Sequence, residues 1–259
     1  MYKRVGFTII EIMIFLAITG MMIALFLVNS GSLLDSQRYR DTILSLQTFL
    51  QDQYSETLNI RNSISGNFTC SINNTNLLTI TNTGSSTKGQ SDCLLVGKYI
   101  RTTDTNGTSI DSYPVVAVKQ SCIDCKSDLQ AFKENYLISQ DASNSANLKT
   151  THQLLWGAFM LKPDKTARLQ FSMVILKSPT SGNIFTLISP LTIKTTKQLV
   201  DLYDALDNSN STKNDLVICV DKRNLNLTKN MGIRILANSF NSSGVKYLGD
   251  GDNSVGGCQ

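Results

Sequence analysis

The sequence predicts an α+β fold in which a long N-terminal α-helix packs on a β-rich globular head. One unbroken apolar run near the N-terminus and an amphipathic stretch directly after it predict the helix. Short β-branched runs separated by Asn, Ser, Gly and Asp predict the strands and turns of the head. Six cysteines, all located after the apolar run, predict that disulfides staple this head.

The composition of the chain excludes several classes of protein function. The chain has 259 residues, of which 41% are hydrophobic and 17% charged, so it has enough apolar material for a sizeable core. A net charge of +4, from 24 basic and 20 acidic residues, is too small for a protein that coats nucleic acid. The single histidine excludes a three-His zinc site. We therefore expect neither an enzyme nor a bound cofactor.

The apolar run Phe7–Val28 is a candidate transmembrane helix. At about 1.5 Å per residue it is long enough to cross a hydrocarbon core of about 30 Å. Lys3 and Arg4 precede it, and the positive-inside rule then keeps the N-terminus cytoplasmic and exports residues 30–259. The sequence thus predicts a single-pass protein of the cell membrane whose head lies outside the cytoplasm.

Glu11 is the one charged residue inside this run. An ionised carboxylate at the centre of a membrane helix costs about 2.5–3.5 kcal/mol, so such groups are usually paired or functional. A plain anchor has no use for the carboxylate. A signal peptide cleaved before Gly31 would not explain it either, although Val28-Asn29-Ser30 is a passable cleavage site.

The residues Gly6-Phe7-Thr8-Ile9-Ile10-Glu11, preceded by a short basic leader and followed by an apolar helix, resemble the processing signature of type IV pilins and pseudopilins. The resemblance covers residues 1 to about 60. It implies a leader peptide of residues 1–6, cleavage between Gly6 and Phe7 by a prepilin peptidase, and N-methylation of Phe7. It also implies a transmembrane helix over residues 7–28 that is later extracted into an extracellular filament.

In this family the acid that matches Glu11 is thought to contact the N-terminal ammonium of a neighbouring subunit. Such a pair offsets the cost of burying either charge alone, so the resemblance assigns Glu11 a role in assembly. Its partners would be other pilin subunits, met through the N-terminal helix. The chain departs from the family in one respect, because the frequent helix-kinking proline is absent and the first proline is Pro114.

The stretch after the apolar run continues the helix to about Asn62. Apolar residues recur there every three to five positions, which places them on one side of a helix; they are Leu34, Tyr39, Ile43, Leu46, Leu50, Tyr54 and Leu58. We expect residues 29–62 to be amphipathic and to pack on the head, as in a pilin. An ordinary amphipathic helix after an anchor remains the alternative.

Residues 63–259 form the predicted head. The expected strands are Phe68–Ile72, Leu77–Thr81, Leu94–Arg101, Val115–Lys119, Arg168–Leu176, Ile184–Ile188, Leu216–Asp221, Gly232–Ala237 and Val245–Leu248. Two segments with helical spacing, Leu129–Ile138 and Thr196–Leu206, are predicted helices, and Ser178–Gly182 is a predicted turn. The head is large for a pilin, so an inserted subdomain over residues 120–165 is a further expectation.

The cysteines allow fifteen pairings in principle, and we favour one of them. Cys70 with Cys93 would be a local pair, and Cys122 with Cys125 a tight loop. The third pair, Cys219 with Cys258, follows from the pilin resemblance, since many pilins carry a disulfide-bounded loop at the C-terminus. Cys122-Ile-Asp-Cys125 also fits a redox pair, but the single CxxC motif favours a structural disulfide.

Two weaker candidate sites lie near the C-terminus. Asp250, Asp252 and Asn253 supply oxygen ligands of the kind that Ca²⁺ prefers, although their spacing does not match the twelve-residue calcium loop and a solvated turn is the favoured interpretation. A modest excess of basic residues would attract DNA phosphates, with solvated strand faces as the favoured alternative; these residues are Lys213, Lys222, Arg223, Lys229, Arg234 and Lys246.

Together these features predict a minor pilin or pseudopilin, a structural subunit of a type IV pilus or secretion pseudopilus. The large head favours a minor subunit. Two other hypotheses stay open. The first is an exported, membrane-anchored adhesin or DNA-capture module, including a competence-type minor pilin. The second, less favoured, is an oxidoreductase that uses Cys122 and Cys125.

Overall fold

The computed structural model describes residues 8–59, 69–72, 78–81, 94–119, 136–139, 149–164, 166–189, 215–221, 231–237, 239–249 and 258. Helix α1 spans Ile9–Leu58 and is continuous over 50 residues. No proline occurs within this range, so no backbone N–H of the helix is lost to a proline ring. At its C-terminal end the Lys177 ammonium donates a hydrogen bond of 2.6 Å to the carbonyl oxygen of Leu58. The helix ends at Leu58, four residues before the predicted end near Asn62.

Twelve strands follow α1 in the described residues. They are β1 (Thr69–Ile72), β2 (Leu78–Thr81), β3 (Leu94–Thr102), β4 (Ser109–Lys119), β5 (Tyr136–Ser139), β6 (Thr150–Gln153), β7 (Met160–Leu161), β8 (Ser172–Lys177), β9 (Ile184–Ser189), β10 (Leu216–Val220), β11 (Gly232–Ile235) and β12 (Val245–Leu248).

The strands form two main antiparallel sheets and one hairpin. The larger sheet has the order β5-β4-β3-β8-β9, and β6 also pairs with the long strand β4. The smaller sheet has the order β12-β11-β10-β7, and β1 pairs with β2. Short 3₁₀ helices at Leu155–Gly157 and Ser242–Gly244 precede β7 and β12. The predicted α+β class is confirmed.

The main hydrophobic core lies where both large sheets meet the C-terminal part of α1. Ile43, Leu46 and Leu50 of the helix are fully buried in one cluster with Met173 and Ile175 of the larger sheet. The same cluster contains residues of the smaller sheet, among them Ile218, Ile233 and Val245. The apolar residues of the predicted stripe from Tyr39 to Tyr54 thus join the two sheets, whereas Leu34 and Leu58 are exposed.

The strand predictions are largely confirmed, with two differences in extent. Strand β4 begins at Ser109 rather than Val115, because the polar residues before Val115 pair with β3 and β6. Strand β8 begins at Ser172 rather than Arg168, which forms only an isolated bridge to Leu161. The predicted turn after β8 is present, and its Gly182 has a φ of 77°, a left-handed conformation that suits glycine.

The structure differs from one prediction about residues 120–165. The end of the predicted helix Leu129–Ile138 lies in strand β5, which pairs with Val116–Lys119, so cross-strand pairing overrides the helical spacing there. Strands β5 and β6 join the larger sheet and β7 joins the smaller one. Residues 120–135 and 140–148 lie outside the described residues, so the inserted subdomain stays a prediction. The predicted helix Thr196–Leu206 lies outside the described residues.

Candidate assembly surface on the N-terminal helix

The N-terminus of α1 is closed by a reciprocal contact between Thr8 and Glu11. The Glu11 side chain accepts hydrogen bonds from the Thr8 backbone N–H at 2.9 Å and from the Thr8 hydroxyl at 3.0 Å. The Glu11 backbone N–H lies 3.4 Å from the Thr8 hydroxyl oxygen, which completes a capping box. The carboxylate therefore lies beside the positive end of the helix dipole. Gly6 and Phe7, the predicted cleavage and methylation residues, lie outside the described residues.

The first part of α1, Ile9–Phe26, is called here the lower half. It has a mean hydropathy of 2.5 and is exposed on all sides, with 0% of it buried in the chain. Its Thr19 hydroxyl is satisfied within the helix by the carbonyl oxygens of Phe15 and Leu16, at 2.8 and 3.1 Å. By length and composition this segment can cross a membrane, as a membrane anchor or as a signal sequence does.

The last part of α1, Tyr39–Leu58, is called the upper half, and it is built into the head. The Tyr39 hydroxyl donates to the Val220 carbonyl oxygen at 2.6 Å and accepts from the Met231 backbone N–H at 2.9 Å. Tyr39 therefore bridges the last residue of β10 and the residue just before β11. The Val220 carbonyl oxygen and the Met231 N–H are both buried there, and a buried backbone group needs a hydrogen-bond partner. This contact attaches the helix to the head at the point where the helix enters the core.

Further along the upper half, polar side chains reach into the sheets. The Gln53 side-chain oxygen accepts from the Ser112 hydroxyl at 2.6 Å, and the Tyr54 hydroxyl lies 3.0 Å from that of Thr186. Burial raises the pKa of Tyr54, although the hydrogen bond with Thr186 acts in the opposite direction. The Gln47 amide donates to the Val245 carbonyl oxygen at 3.1 Å. Such directional contacts set the rotation of the helix against both sheets, which apolar contacts alone do not do.

The predicted disulfide between Cys219 and Cys258 is confirmed. It ties β10 to residue 258 across a sequence separation of 39 and lies in a small apolar cluster with Val217 and Leu248. Cys70 is disulfide-bonded as well, but its partner lies outside the described residues. Cys93, Cys122 and Cys125 also lie outside them, so the other two predicted pairings remain predictions.

Of the six basic residues proposed to contact DNA, the structure describes two. Arg234 of β11 stands directly opposite Lys246 of β12, so two positive charges share one face of the smaller sheet. The Arg234 Nε atom lies 3.8 Å from an Asp215 carboxylate oxygen, which offsets part of that charge. The other four residues, Lys213, Lys222, Arg223 and Lys229, lie outside the described part of the chain.

The calcium candidates Asp250, Asp252 and Asn253 also lie outside the described residues. Within the described ranges no group of three or more His, Cys, Asp or Glu side chains is placed to hold a metal ion. The single histidine, His152, stacks on Phe49 of α1 with ring centroids 4.8 Å apart, and burial lowers its pKa. It helps to pack β6 against the helix.

A buried charged network on the larger sheet was not predicted from the sequence. The Asp111 carboxylate accepts from the Thr151 hydroxyl at 2.6 Å and the Tyr113 hydroxyl at 3.0 Å, and it lies 2.9 Å from the Lys149 ammonium. Burial by itself would raise the pKa of Asp111, but these hydrogen bonds and the charge of Lys149 hold it below its usual value. Arg101 donates to the Tyr113 hydroxyl at 2.9 Å and extends the network.

The arrangement defines a membrane-compatible helix that is rigidly joined to a disulfide-bonded antiparallel head. No protein-family model, curated protein or solved structure matches the chain.

Proposed function

We propose that this chain is a minor pilin or pseudopilin, a structural subunit of a type IV filament that assembles through α1. The observation that carries the proposal is the division of one unbroken helix into two halves. The upper half is buried in the head, and the lower half is almost wholly apolar and is not buried against the described part of the chain. A helix that is apolar all round needs lipid or other apolar helices as its surroundings.

The proposed pathway begins in the membrane. The lower half spans the bilayer, the head lies outside the cytoplasm, and prepilin peptidase cleaves between Gly6 and Phe7. N-methylation of Phe7 follows, and the subunit then leaves the bilayer for the filament, where the apolar helices of other pilin subunits replace the lipid. The lower half can make both moves as a helix, because helical backbone hydrogen bonds are formed within the segment itself.

Glu11 acts as the assembly residue in this pathway. In the single chain its carboxylate is held by Thr8, which supplies two hydrogen-bond donors but no charge. The N-terminal ammonium of a neighbouring subunit would supply the opposite charge and so be favoured at this position in low-dielectric surroundings. Only subunits in the correct register bring the two groups together.

The test is Glu11→Gln in the full chain, measured in the cells that produce the filament. Glutamine keeps the size of the side chain and one oxygen that can accept both hydrogen bonds from Thr8, but it leaves the partner ammonium without an opposite charge. Breaking a buried charge pair costs about 2–5 kcal/mol, so recovery of the variant in sheared filaments should fall about 30-fold or more. Membrane insertion should be unchanged.

The matched control is Glu56→Gln, because Glu56 lies in the upper half of the same helix and its exposed side chain pairs with Lys98 at 2.7 Å. This variant should enter filaments like the wild type. Mass spectrometry of the N-terminal peptide completes the test, and a start at N-methylated Phe7 is expected. Normal filament recovery of Glu11→Gln, or a chain that starts at Met1 or Gly31, would contradict the proposal and leave an anchored or secreted adhesin or DNA-capture module.

A further inference from the structure

A short segment of the head contacts the upper part of α1 at two places. Residues 149–157, here called the strap, contain strand β6 and the 3₁₀ helix that follows it. In β6 the His152 ring stacks on the ring of Phe49. In the 3₁₀ helix the Trp156 ring lies under the Arg38 guanidinium, 4.6 Å from ring centre to carbon. Both contacts join a side chain of the strap to one of α1, so the strap holds the helix from outside the two large sheets.

The strap has few buried contacts for its length. Among the described strands β6 pairs with β4 alone, and three of its four residues are exposed. Leu154 is buried in the main core, and its N–H donates to the Thr108 carbonyl oxygen at 2.9 Å. Trp156 has a φ of 57°, a left-handed conformation that is unfavourable for a bulky residue and persists only when contacts enforce it. Segments of this kind open locally at low free energy, so the loss of one contact is enough to loosen the strap.

His152 is the half-buried residue of β6, and its ring is the contact that protonation can change. The ring centroids of His152 and Phe49 are 4.8 Å apart, with 18° between the ring planes. Ile110 of the main core lies directly opposite His152 in β4. The Nε2 atom of His152 is buried and has no hydrogen-bond partner among the described residues. A protonated ring would place a charged N–H donor at this buried atom, whereas the neutral ring can leave Nε2 unprotonated.

The charged groups of α1 do not offset the burial of such a charge. Asp52 and Glu56 are the acidic residues within two helical turns of Phe49, and the side chains of both are exposed to water. Glu56 already pairs with Lys98 at 2.7 Å. Arg38, about three turns below Phe49, is itself a cation. The helix therefore offers the buried ring no neutralising carboxylate.

The charged groups of the two strands lie on the other side of the sheet. Asp111 follows Ile110 in β4, so its side chain points to the opposite face, where it lies 2.9 Å from the Lys149 ammonium. Strand β6 contains no charged residue. Burial alone accordingly lowers the pKa of His152. A cation stacked on an aromatic ring gains some free energy, but this is less than the burial of an unpaired charge costs.

We propose that the strap is an acid-sensitive latch, in which protonation of His152 loosens β6 and the following turn from α1. The docked strap prefers the neutral ring, whereas the loosened strap gives the ring water as a partner, so acid favours the loosened state. The latch is closed above the ordinary histidine value of about 6.5 and opens progressively as the pH falls below it. His152 is the only histidine in the sequence, so one residue accounts for this response. The latch belongs to the head alone and does not depend on the proposed filament function.

The first experiment is hydrogen exchange of the full chain in detergent between pH 7.5 and pH 5.0, with each rate corrected for intrinsic exchange at that pH. Protection of the backbone amides of the strap should fall several-fold over this range. The hairpin of β8 and β9 is the internal control, since it lies at the other edge of the larger sheet, and its protection should stay constant. Unchanged protection of the strap, or an equal loss in the hairpin, would overturn the proposal.

The second experiment compares His152→Phe with Asp52→Asn. Phenylalanine keeps an aromatic ring on Phe49 but cannot be protonated, so the strap of this variant should be as protected at pH 5.0 as at pH 7.5. Asp52→Asn removes the acidic residue nearest to Phe49 along α1 and should respond to pH like the wild type. A pH response that persists in His152→Phe would show that another group is responsible and that the latch is wrong.

A third measurement needs no variant. Because the chain has one histidine, its imidazole gives a single set of NMR signals, which can be followed against pH in the wild type. We expect these signals to titrate with a midpoint below the ordinary value of about 6.5. A midpoint at or above that value would mean that the docked strap does not resist protonation, and it would overturn the proposal.

Discussion

The two halves of α1 share one backbone but differ in what surrounds them. In the upper half Ile43, Leu46 and Leu50 are enclosed by two sheets, and the outer side carries polar residues such as Asp52. In the lower half apolar side chains cover the whole circumference and none is buried. Helical hydrogen bonding is the same in both halves, so the difference lies entirely in the side chains and their partners. One continuous helix thus carries both a buried joint to the head and an exposed apolar segment.

The largest expected effect comes from a matched pair of leucine truncations. Leu46→Ala removes a fully buried side chain and should lower the free energy of unfolding of the head by about 3–5 kcal/mol. Leu16→Ala, in the lower half, removes a side chain that is 63% exposed and should leave head stability unchanged. Thermal and chemical unfolding of the full chain in detergent measures both. A stability loss for Leu16→Ala similar to that for Leu46→Ala would mean that the lower half also packs on the head.

The second-largest effect is expected from removal of the Cys219–Cys258 disulfide, which lies near the point where α1 enters the head. Cys219 adjoins Val220, whose carbonyl oxygen binds Tyr39, so the bond stiffens the region that receives the helix. Replacing both Cys219 and Cys258 by serine should lower the free energy of unfolding by about 2–4 kcal/mol, because the unfolded chain gains loop entropy. Denaturant unfolding of the double variant, with and without reductant, measures the effect. Reductant should still destabilise the variant if Cys70 is bonded independently; a variant as stable as the wild type would contradict the prediction.

A smaller effect on stability is expected from the buried carboxylate of Asp111. Asp111 in the head has Lys149, Thr151 and Tyr113 as partners, whereas Glu11 in the lower half has Thr8. Because the folded-state pKa of Asp111 is lowered, its contribution to stability is present above its unfolded pKa and is lost as the pH falls through the folded value. Asp111→Asn should therefore cost about 1–2 kcal/mol at neutral pH and progressively less in acid.

Melting temperatures of the wild type and Asp111→Asn between pH 7 and pH 3 measure this dependence. The exposed Asp52→Asn on the outer side of α1 is the control, and it should change little at any pH. If the melting temperatures of the wild type and Asp111→Asn differ as much at pH 3 as at pH 7, packing rather than charge accounts for the loss of stability.

Much of the architecture could be predicted because it depends on local patterns. The period of Tyr39, Ile43, Leu46 and Leu50 marks the buried side of the upper half, and the unbroken apolar run marks the lower half. Most strands were predicted because β-branched runs bounded by turn residues are a local signal. The Cys219–Cys258 pair was predicted only through the pilin resemblance, since spacing does not determine connectivity.

Other features were missed because they depend on residues far apart in sequence. Residues 136–138 were predicted as helix, yet they pair with β4, and their own spacing does not reveal that partner. The polar start of β4 contains Asp111, which looks like a loop residue until Lys149 and Thr151 are brought beside it. Trp156 gave no signal in the sequence, because its left-handed backbone and its contact with Arg38 arise only when the turn is packed against α1.

The sequence alone determined the long helix, its division into an apolar and an amphipathic part, and the β-rich character of the head, since each follows from the pattern of nearby residues. Only the tertiary structure decided how the helix is rotated against two sheets, which charges are buried and which aromatic side chain stays outside. Those outcomes depend on the satisfaction of buried polar groups and on packing between distant segments, and no local period encodes either.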